Sequence, residues 1–324
     1  MSLLQVANLK TYFYTPFGVV KAVDGVSFSV KRGEALGLAG ESGCGKTTIA
    51  YSIMRLIPNP GRIVEGEILF NGVDLSKLND EELRQVRWKE LSMVFQGAMA
   101  SFDPLFKIGD QISEAILYHE KVGKAEAMDR TKNLLELVGI DSERANNYPW
   151  ELSGGMRQRS MIAMALACNP KLIIADEPTT ALDVIVSAQI MELIKSLREK
   201  LDLTMLLITH DISVIAQTCD ELAVMYAGKL VEKASVDIIF KNAYHPYTSA
   251  LIKAFPNIRG PKQELLGIPG NPLDLMNPPE GCRFAPRCPF SQERCITNEP
   301  VLTEVESDHF VACHFWKEIL DGVR

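Results

Sequence analysis

The chain of 324 residues has little that would carry it across a membrane. Its longest uninterrupted apolar run is Met161 to Cys168, eight residues, against the roughly 20 that a spanning helix needs. At the N-terminus, Met-Ser-Leu-Leu-Gln-Val-Ala-Asn, no basic region leads into a long apolar stretch, so no secretory signal is expected. Basic charge is also in short supply. With 34 Lys+Arg against 41 Asp+Glu the formal net charge is −7, which argues against bulk nucleic-acid binding. Internal repeats and low-complexity tracts are absent. An apolar fraction of 47% and a charged fraction of 23% are globular values and exclude a largely disordered chain. The expectation is a soluble cytoplasmic protein of one large domain or two smaller ones.

Short apolar runs set the expected strands. Leu3–Phe13 and Ala22–Val30 read as strands, and Glu34–Ala39 as another that ends in a glycine-rich turn. A helix over Thr47–Leu56 follows, then a strand and turn over Glu67–Gly72. From about 97 to 165 the pattern is helical, centred on the charged amphipathic stretch Lys124–Val138. Strands return at Leu172–Ala175, Met205–Ile208 and Leu222–Met225, with a helix over Ser187–Lys200 between the first two. Strands alternating with helices predict an α/β fold around a parallel sheet covered on both faces. Six of the 17 prolines fall between Pro256 and Gly281, which reads as a linker.

The segment Gly40-Glu41-Ser42-Gly43-Cys44-Gly45-Lys46-Thr47, followed by Thr48, fits G-x-x-x-x-G-K-[ST] between a strand and a helix. Glycines there let the backbone turn its N–H groups toward a phosphate at the positive end of the helix. Lys46 would reach the β- and γ-phosphates, and the Thr47 hydroxyl would ligate Mg²⁺. A phosphate loop needs a carboxylate at the end of a second strand, and Leu172-Ile-Ile-Ala-Asp176-Glu177 supplies it. Asp176 would organise the Mg²⁺, and Glu177 would polarise a water for in-line attack on the γ-phosphate.

Leu152-Ser153-Gly154-Gly155-Met-Arg-Gln158 resembles the signature motif of ABC-type ATPases, and the other motifs of that family fall in order around it. Gln96 resembles the Q-loop glutamine, Ala181-Leu-Asp183 the D-loop, and His210 the switch histidine. The resemblance covers residues 3 to about 240. It implies a P-loop NTPase core with an antiparallel β subdomain and a helical subdomain at about 97–165. It also implies an ATP sandwiched between the phosphate loop of one subunit and Ser153, Gly154, Gly155 and Gln158 of a partner. Catalysis is expected from Glu177, His210 and Gln96, with Mg²⁺ reached by Thr47, Gln96 and Asp176. An aromatic of the first strand region is expected on the adenine. Phe13 aligns best, with Tyr14 and Phe17 as competitors.

One phosphate loop per chain argues against an ABC translation factor, and the absence of long heptad arms against a chromosome-maintenance ATPase. A nucleotide-gated module that never turns over would have lost Glu177, Gln96 or His210, and all three are present. The tail narrows the family further. Gly281-Cys-Arg-Phe-Ala-Pro-Arg-Cys-Pro-Phe, with Cys295, Pro300-Val-Leu and His309-Phe-Val-Ala-Cys313, resembles the C-terminal extension of di- and oligopeptide importer ATPases, and His245-Pro-Tyr-Thr matches the same branch. Nickel or an oligosaccharide is the alternative cargo. The resemblance implies a second ATP-binding subunit, as a heterodimer or homodimer, two membrane permease subunits and an extracytoplasmic peptide-binding protein. The chain would sit peripherally on the cytoplasmic face of the cell membrane. Along the sequence the expected division is 1–255 for the ATPase, 256–281 for the linker and 282–324 for a small cysteine-rich C-terminal extension.

Cys282, Cys288, Cys295 and Cys313 are spaced C-x5-C-x6-C-x17-C, without the close knuckles of structural zinc sites. The family implies a [4Fe–4S] cluster on these four. Zinc is the alternative, and four reduced thiols without metal the third reading. Cys44 reads as a small residue that fits the loop, although backbone N–H groups around it could lower its pKa and make it open to alkylation.

Overall fold

In the computed structural model the described residues are 2–97, 101–254 and 268–322. They fall into two compact units. One is formed by Lys31–Glu34 and Lys77–Leu207, the other by Ser2–Val30, Ala35–Ser76 and the chain from Ile208 onward.

The second of these units opens with β1 (Ser2–Thr15) and β2 (Gly18–Lys31), continues through β3 (Ala35–Ala39) and α1 (Lys46–Met54), and pauses after β4 (Gly61–Phe70) and β5 (Val73–Asp74). A four-stranded sheet runs β2-β1-β4-β5, with β1 antiparallel to β4 in the register Leu4↔Phe70 and Val6↔Ile68. These four side chains are buried, so the period-two pattern of β1 points one face inward. This is the antiparallel β subdomain that the family resemblance implies.

The other unit contains α2 (Asp80–Val86), β6 (Leu91–Val94), α3 (Ile108–His119), α4 (Lys124–Leu137), α5 (Gly154–Ala165), β7 (Leu172–Asp176), α6 (Val184–Leu201) and most of β8 (Thr204–Ile208). Its strands run β8-β7-β6, and β6 pairs with β7 in parallel. All five residues of β7 and of β8 are buried, as expected for strands covered on both faces. The helical stretch is carried by α3, α4 and α5. Helix α4 buries Ala127, Thr131 and Leu135, one stripe at four-residue spacing, and turns its charges to solvent.

The chain then returns to the unit that holds β1–β5 with α7 (Ile212–Thr218), β9 (Glu221–Tyr226), β10 (Lys229–Ser235), α8 (Val236–Lys241), α9 (Pro246–Lys253), α10 (Glu293–Thr297), β11 (Thr303–Glu306), β12 (His309–Val311) and α11 (Trp316–Leu320). Its sheet runs β11-β12-β10-β9-β3. Here the sheet is mixed rather than parallel throughout: β3 and β9 are parallel, while β9, β10, β12 and β11 are successively antiparallel. The hairpin β9–β10 is joined by two residues, Ala227-Gly228, both at positive φ, and so short a connection can only reverse the strand.

The tail is built into this unit. Strand β12 pairs with β10 in the register Glu232↔Val311. The buried Glu232 carboxylate accepts the N–H groups of Tyr244 (2.7 Å) and His245 (3.0 Å) and lies 2.9 Å from the buried His309 Nε2. Tyr244 stacks on Trp316, and Arg283 pairs with Asp24. Within the expected linker, 256–267 lie outside the described residues. From 268 to 281 no helix or strand forms, and Leu275 accepts the Lys21 N–H at 3.0 Å. No helix among the described residues is long and apolar enough to cross a membrane.

Candidate functional site

The phosphate loop lies between β3 and α1. Gly45 caps α1 with φ of 105°, no side chain caps the helix, and its first turn carries no carboxylate. Its amide end is therefore left for an external anion. A Cβ on Gly40 would stand 2.2 Å from the Met225 carbonyl, and one on Gly45 2.1 Å from that of Ala22, so the loop closes only with glycine at both positions. A Cβ on Gly43 would meet nothing within 4 Å. Lys46 is 5% exposed, and its ammonium donates to the Gly40 carbonyl at 2.7 Å and the Glu41 carbonyl at 3.0 Å. Arriving phosphate oxygens would have to compete with these two carbonyls for the lysine.

Cys44 is 4% exposed with its sulfur 3.7 Å from the Lys46 Nζ. Burial pushes its thiol pKa up, against the opposing pull of Lys46. This goes against the alternative of a lowered pKa, because desolvation of the thiolate outweighs nearby amides and ammonium.

In the other unit, β7 delivers Asp176, fully buried, and then Glu177 in the left-handed region at φ 44°. Ala181 is left-handed as well, at φ 66°. Two such residues in five mark a segment held against its local preference. The Gln96 amide, two residues beyond β6, donates to Glu177 Oε2 at 3.1 Å, and the Thr180 hydroxyl donates to the same oxygen at 2.8 Å. Two predicted residues 81 positions apart are thus brought together, and Thr180 joins them, a neighbour the sequence did not single out. Asp183 caps α6 by accepting the Val186 N–H at 2.9 Å. Val184 and Ile185 beside it are 86% and 72% exposed. Ser153 caps α5 through the Met156 N–H at 3.3 Å, with Gly154 and Gly155 part-exposed and no acidic residue in the first turn. Gln158 is buried, so its side chain faces the interior rather than the signature surface.

His210 is exposed just after β8, and the next residue, Asp211, caps α7 through the Ser213 N–H at 2.8 Å. Among the adenine candidates, the Phe13 ring lies over Gly61 and Tyr14 is covered by the Arg62 guanidinium 4.1 Å from its centroid. Phe17, in the β1–β2 turn, is 91% exposed and offers the open ring of the three.

Cys282, Cys288, Cys295 and Cys313 all line one small cavity, together with Phe284 and Phe315. Burial raises the thiol pKa of Cys282 to about 11 and of Cys313 to about 12. Among the described residues no three His, Cys, Asp or Glu side chains approach closely enough to hold a single metal ion. The expected metal group on these four cysteines, [4Fe–4S] or zinc, therefore finds no support in how closely they approach one another.

The ABC transporter family profile matches residues 23–180, and the oligopeptide/dipeptide transporter C-terminal region profile matches 231–295. The chain is 48% identical to a probable peptide ABC transporter ATP-binding protein of Sinorhizobium fredii, over 98% of this chain and 96% of that one. The chain belongs to the ABC transporter ATP-binding family. Within that family it is also 49% identical to the oligopeptide transport ATP-binding protein OppD of Bacillus subtilis, over 95% of this chain and 87% of the relative. Against the dipeptide transport ATP-binding protein DppD of Escherichia coli the identity is 43%, over 97% of both. The dimeric ATP-binding cassette MJ0796, in a post-hydrolysis state with ADP and Pi, superposes with a TM-score of 0.65 at 28% identity. That match covers 72% of this ABC chain and 98% of the cassette.

Proposed function

We propose that this chain is the ATP-binding, ATP-hydrolysing subunit of an importer for di- and oligopeptides. The observation that carries the reading is the likeness to peptide transport ATP-binding proteins over nearly the whole chain, tail included. In this reading residues 40–48 hold the triphosphate, Thr47 and Asp176 serve Mg²⁺, and Glu177 polarises the attacking water while Gln96 and Thr180 hold its carboxylate. His210 contacts the γ-phosphate. Ser153, Gly154 and Gly155 close over the ATP of a partner ATPase, so two subunits, identical or sister chains, are required. The exposed Val184 and Ile185, beside Asp183, suit burial in that contact.

Coupling to transport needs a membrane partner. A groove lined by Arg84, Trp88, Gln111, Tyr118 and His119 offers exposed aromatics flanked by charge, and we assign it to a short helix of a permease subunit. Two permeases and an extracytoplasmic peptide-binding protein complete the importer, with this chain on the cytoplasmic face of the membrane.

Residues 1–255 handle the nucleotide, and 282–324 carry a [4Fe–4S] cluster on Cys282, Cys288, Cys295 and Cys313. The cluster would act as a structural staple without a redox step. The four cysteines line one cavity, which supports this. ATP hydrolysis by the chain assembled with its permeases, stimulated by peptide-loaded binding protein, is the test. Stimulation by peptide supports the assignment. Stimulation by a nickel or oligosaccharide receptor alone would replace it.

A further inference from the structure

Glu41, the second residue of the phosphate loop, is gripped by the C-terminal segment. Arg287 Nη1 donates to Glu41 Oε2 at 2.7 Å and Nη2 to Oε1 at 2.9 Å, a parallel fork. The rest of the guanidinium is engaged as well: Nε donates to the Pro269 carbonyl at 2.8 Å, Nη2 to the Ile268 carbonyl at 3.2 Å and Nη1 to the Tyr226 hydroxyl at 3.3 Å. The Arg287 side chain is 6% exposed. The backbone of Glu41 is held too, its N–H donating to the Tyr247 hydroxyl at 2.9 Å and its carbonyl accepting from Lys46.

A carboxylate in a loop that receives a triphosphate is electrostatically unfavourable, since like charges in a partly buried site repel strongly. The fork cancels that charge and fixes the side chain's direction. We propose that Arg287 is a positioning residue for the phosphate loop: by holding and neutralising Glu41, the C-terminal segment sets the affinity of the site for nucleoside triphosphate. The inference rests on residues 40–48 being the triphosphate site. Arg287 precedes Cys288, so the segment that lines the cysteine cavity also shapes the loop.

The test is equilibrium binding of a fluorescent Mg²⁺–ATP analogue to the full chain, with steady-state hydrolysis alongside. Arg287→Ala is expected to weaken binding by about tenfold and to raise KM more than it lowers kcat. Arg287→Lys, a point charge without the fork, recovers part of the loss. Adding Glu41→Gln to Arg287→Ala removes the exposed charge and returns Kd to within about threefold of the parent. A merely structural arginine would not be rescued this way. Wild-type affinity in Arg287→Ala, or no recovery in the double variant, overturns the proposal. If Arg287→Ala does not fold, Arg287→Gln with and without Glu41→Gln decides by the same criterion. Failure of the parent chain to bind the analogue, or undiminished binding by Lys46→Ala, overturns the reading of the site itself.

Discussion

Gln96 donates its side-chain amide to the carboxylate of Glu177 at 3.1 Å, and the Thr180 hydroxyl reaches the same oxygen at 2.8 Å. Replacing Glu177 by Gln leaves the size and the hydrogen bonds nearly intact but removes the basic oxygen. We expect phosphate release to fall by at least about 100-fold while nucleotide binding persists and an ATP-bound dimer accumulates. Malachite-green assay and size-exclusion chromatography check both halves. Undiminished turnover would show that Glu177 is not the polarising group.

Gln96→Ala tests the positioning half of the same pair. Hydrolysis should drop by about tenfold with nucleotide affinity little changed, because the carboxylate remains but loses its amide donor. A larger effect on Kd than on kcat would place Gln96 in binding instead.

Much of this arrangement is legible in the sequence. The runs Ala35–Ala39, Leu172–Asp176 and Thr204–Ile208 are short, apolar and wholly buried, so composition alone marks them as strands. Strand β10 escaped because Glu232 and Lys233 sit in its middle. Both are buried and partnered, Glu232 by His309 and Lys233 by Glu221, and no local pattern shows that such partners exist. Strand β6, at four residues, is too short for any period to register. The grip of Arg287 on Glu41 spans 246 positions and left no sequence signal beyond two opposite charges.

Cys44 should resist modification. Its pKa is raised by burial, so at pH 8 the thiol stays protonated, and its 4% exposure blocks access as well. Iodoacetamide at that pH is expected to leave Cys44 unlabelled by peptide mass mapping of the native protein, with labelling appearing only on denaturation. Rapid native labelling would contradict the burial.

The Glu232–His309 contact ties strand β12 to β10 with both side chains fully buried. His309→Ala leaves a buried carboxylate short of one partner and should cost about 1–3 kcal/mol. Chemical denaturation of the full chain measures it. An unchanged midpoint would mean that β12 is held by other contacts.

Anaerobic purification addresses the cysteine cavity, where about four irons with matching acid-labile sulfide are expected per chain. Loss of that iron in Cys288→Ser would tie it to these ligands. Zinc in place of iron would refute the cluster.

Hydrolysis at this site is expected to drive peptide import. Its most direct measurement is uptake of a labelled di- or tripeptide into proteoliposomes holding the ATPase pair and permeases, with the binding protein present and ATP on the side of the ATPases. Uptake is expected to require ATP and to disappear when Glu177→Gln replaces the wild-type chain. Peptide uptake that continues with that variant, or an assembly that moves only a different solute, would contradict it.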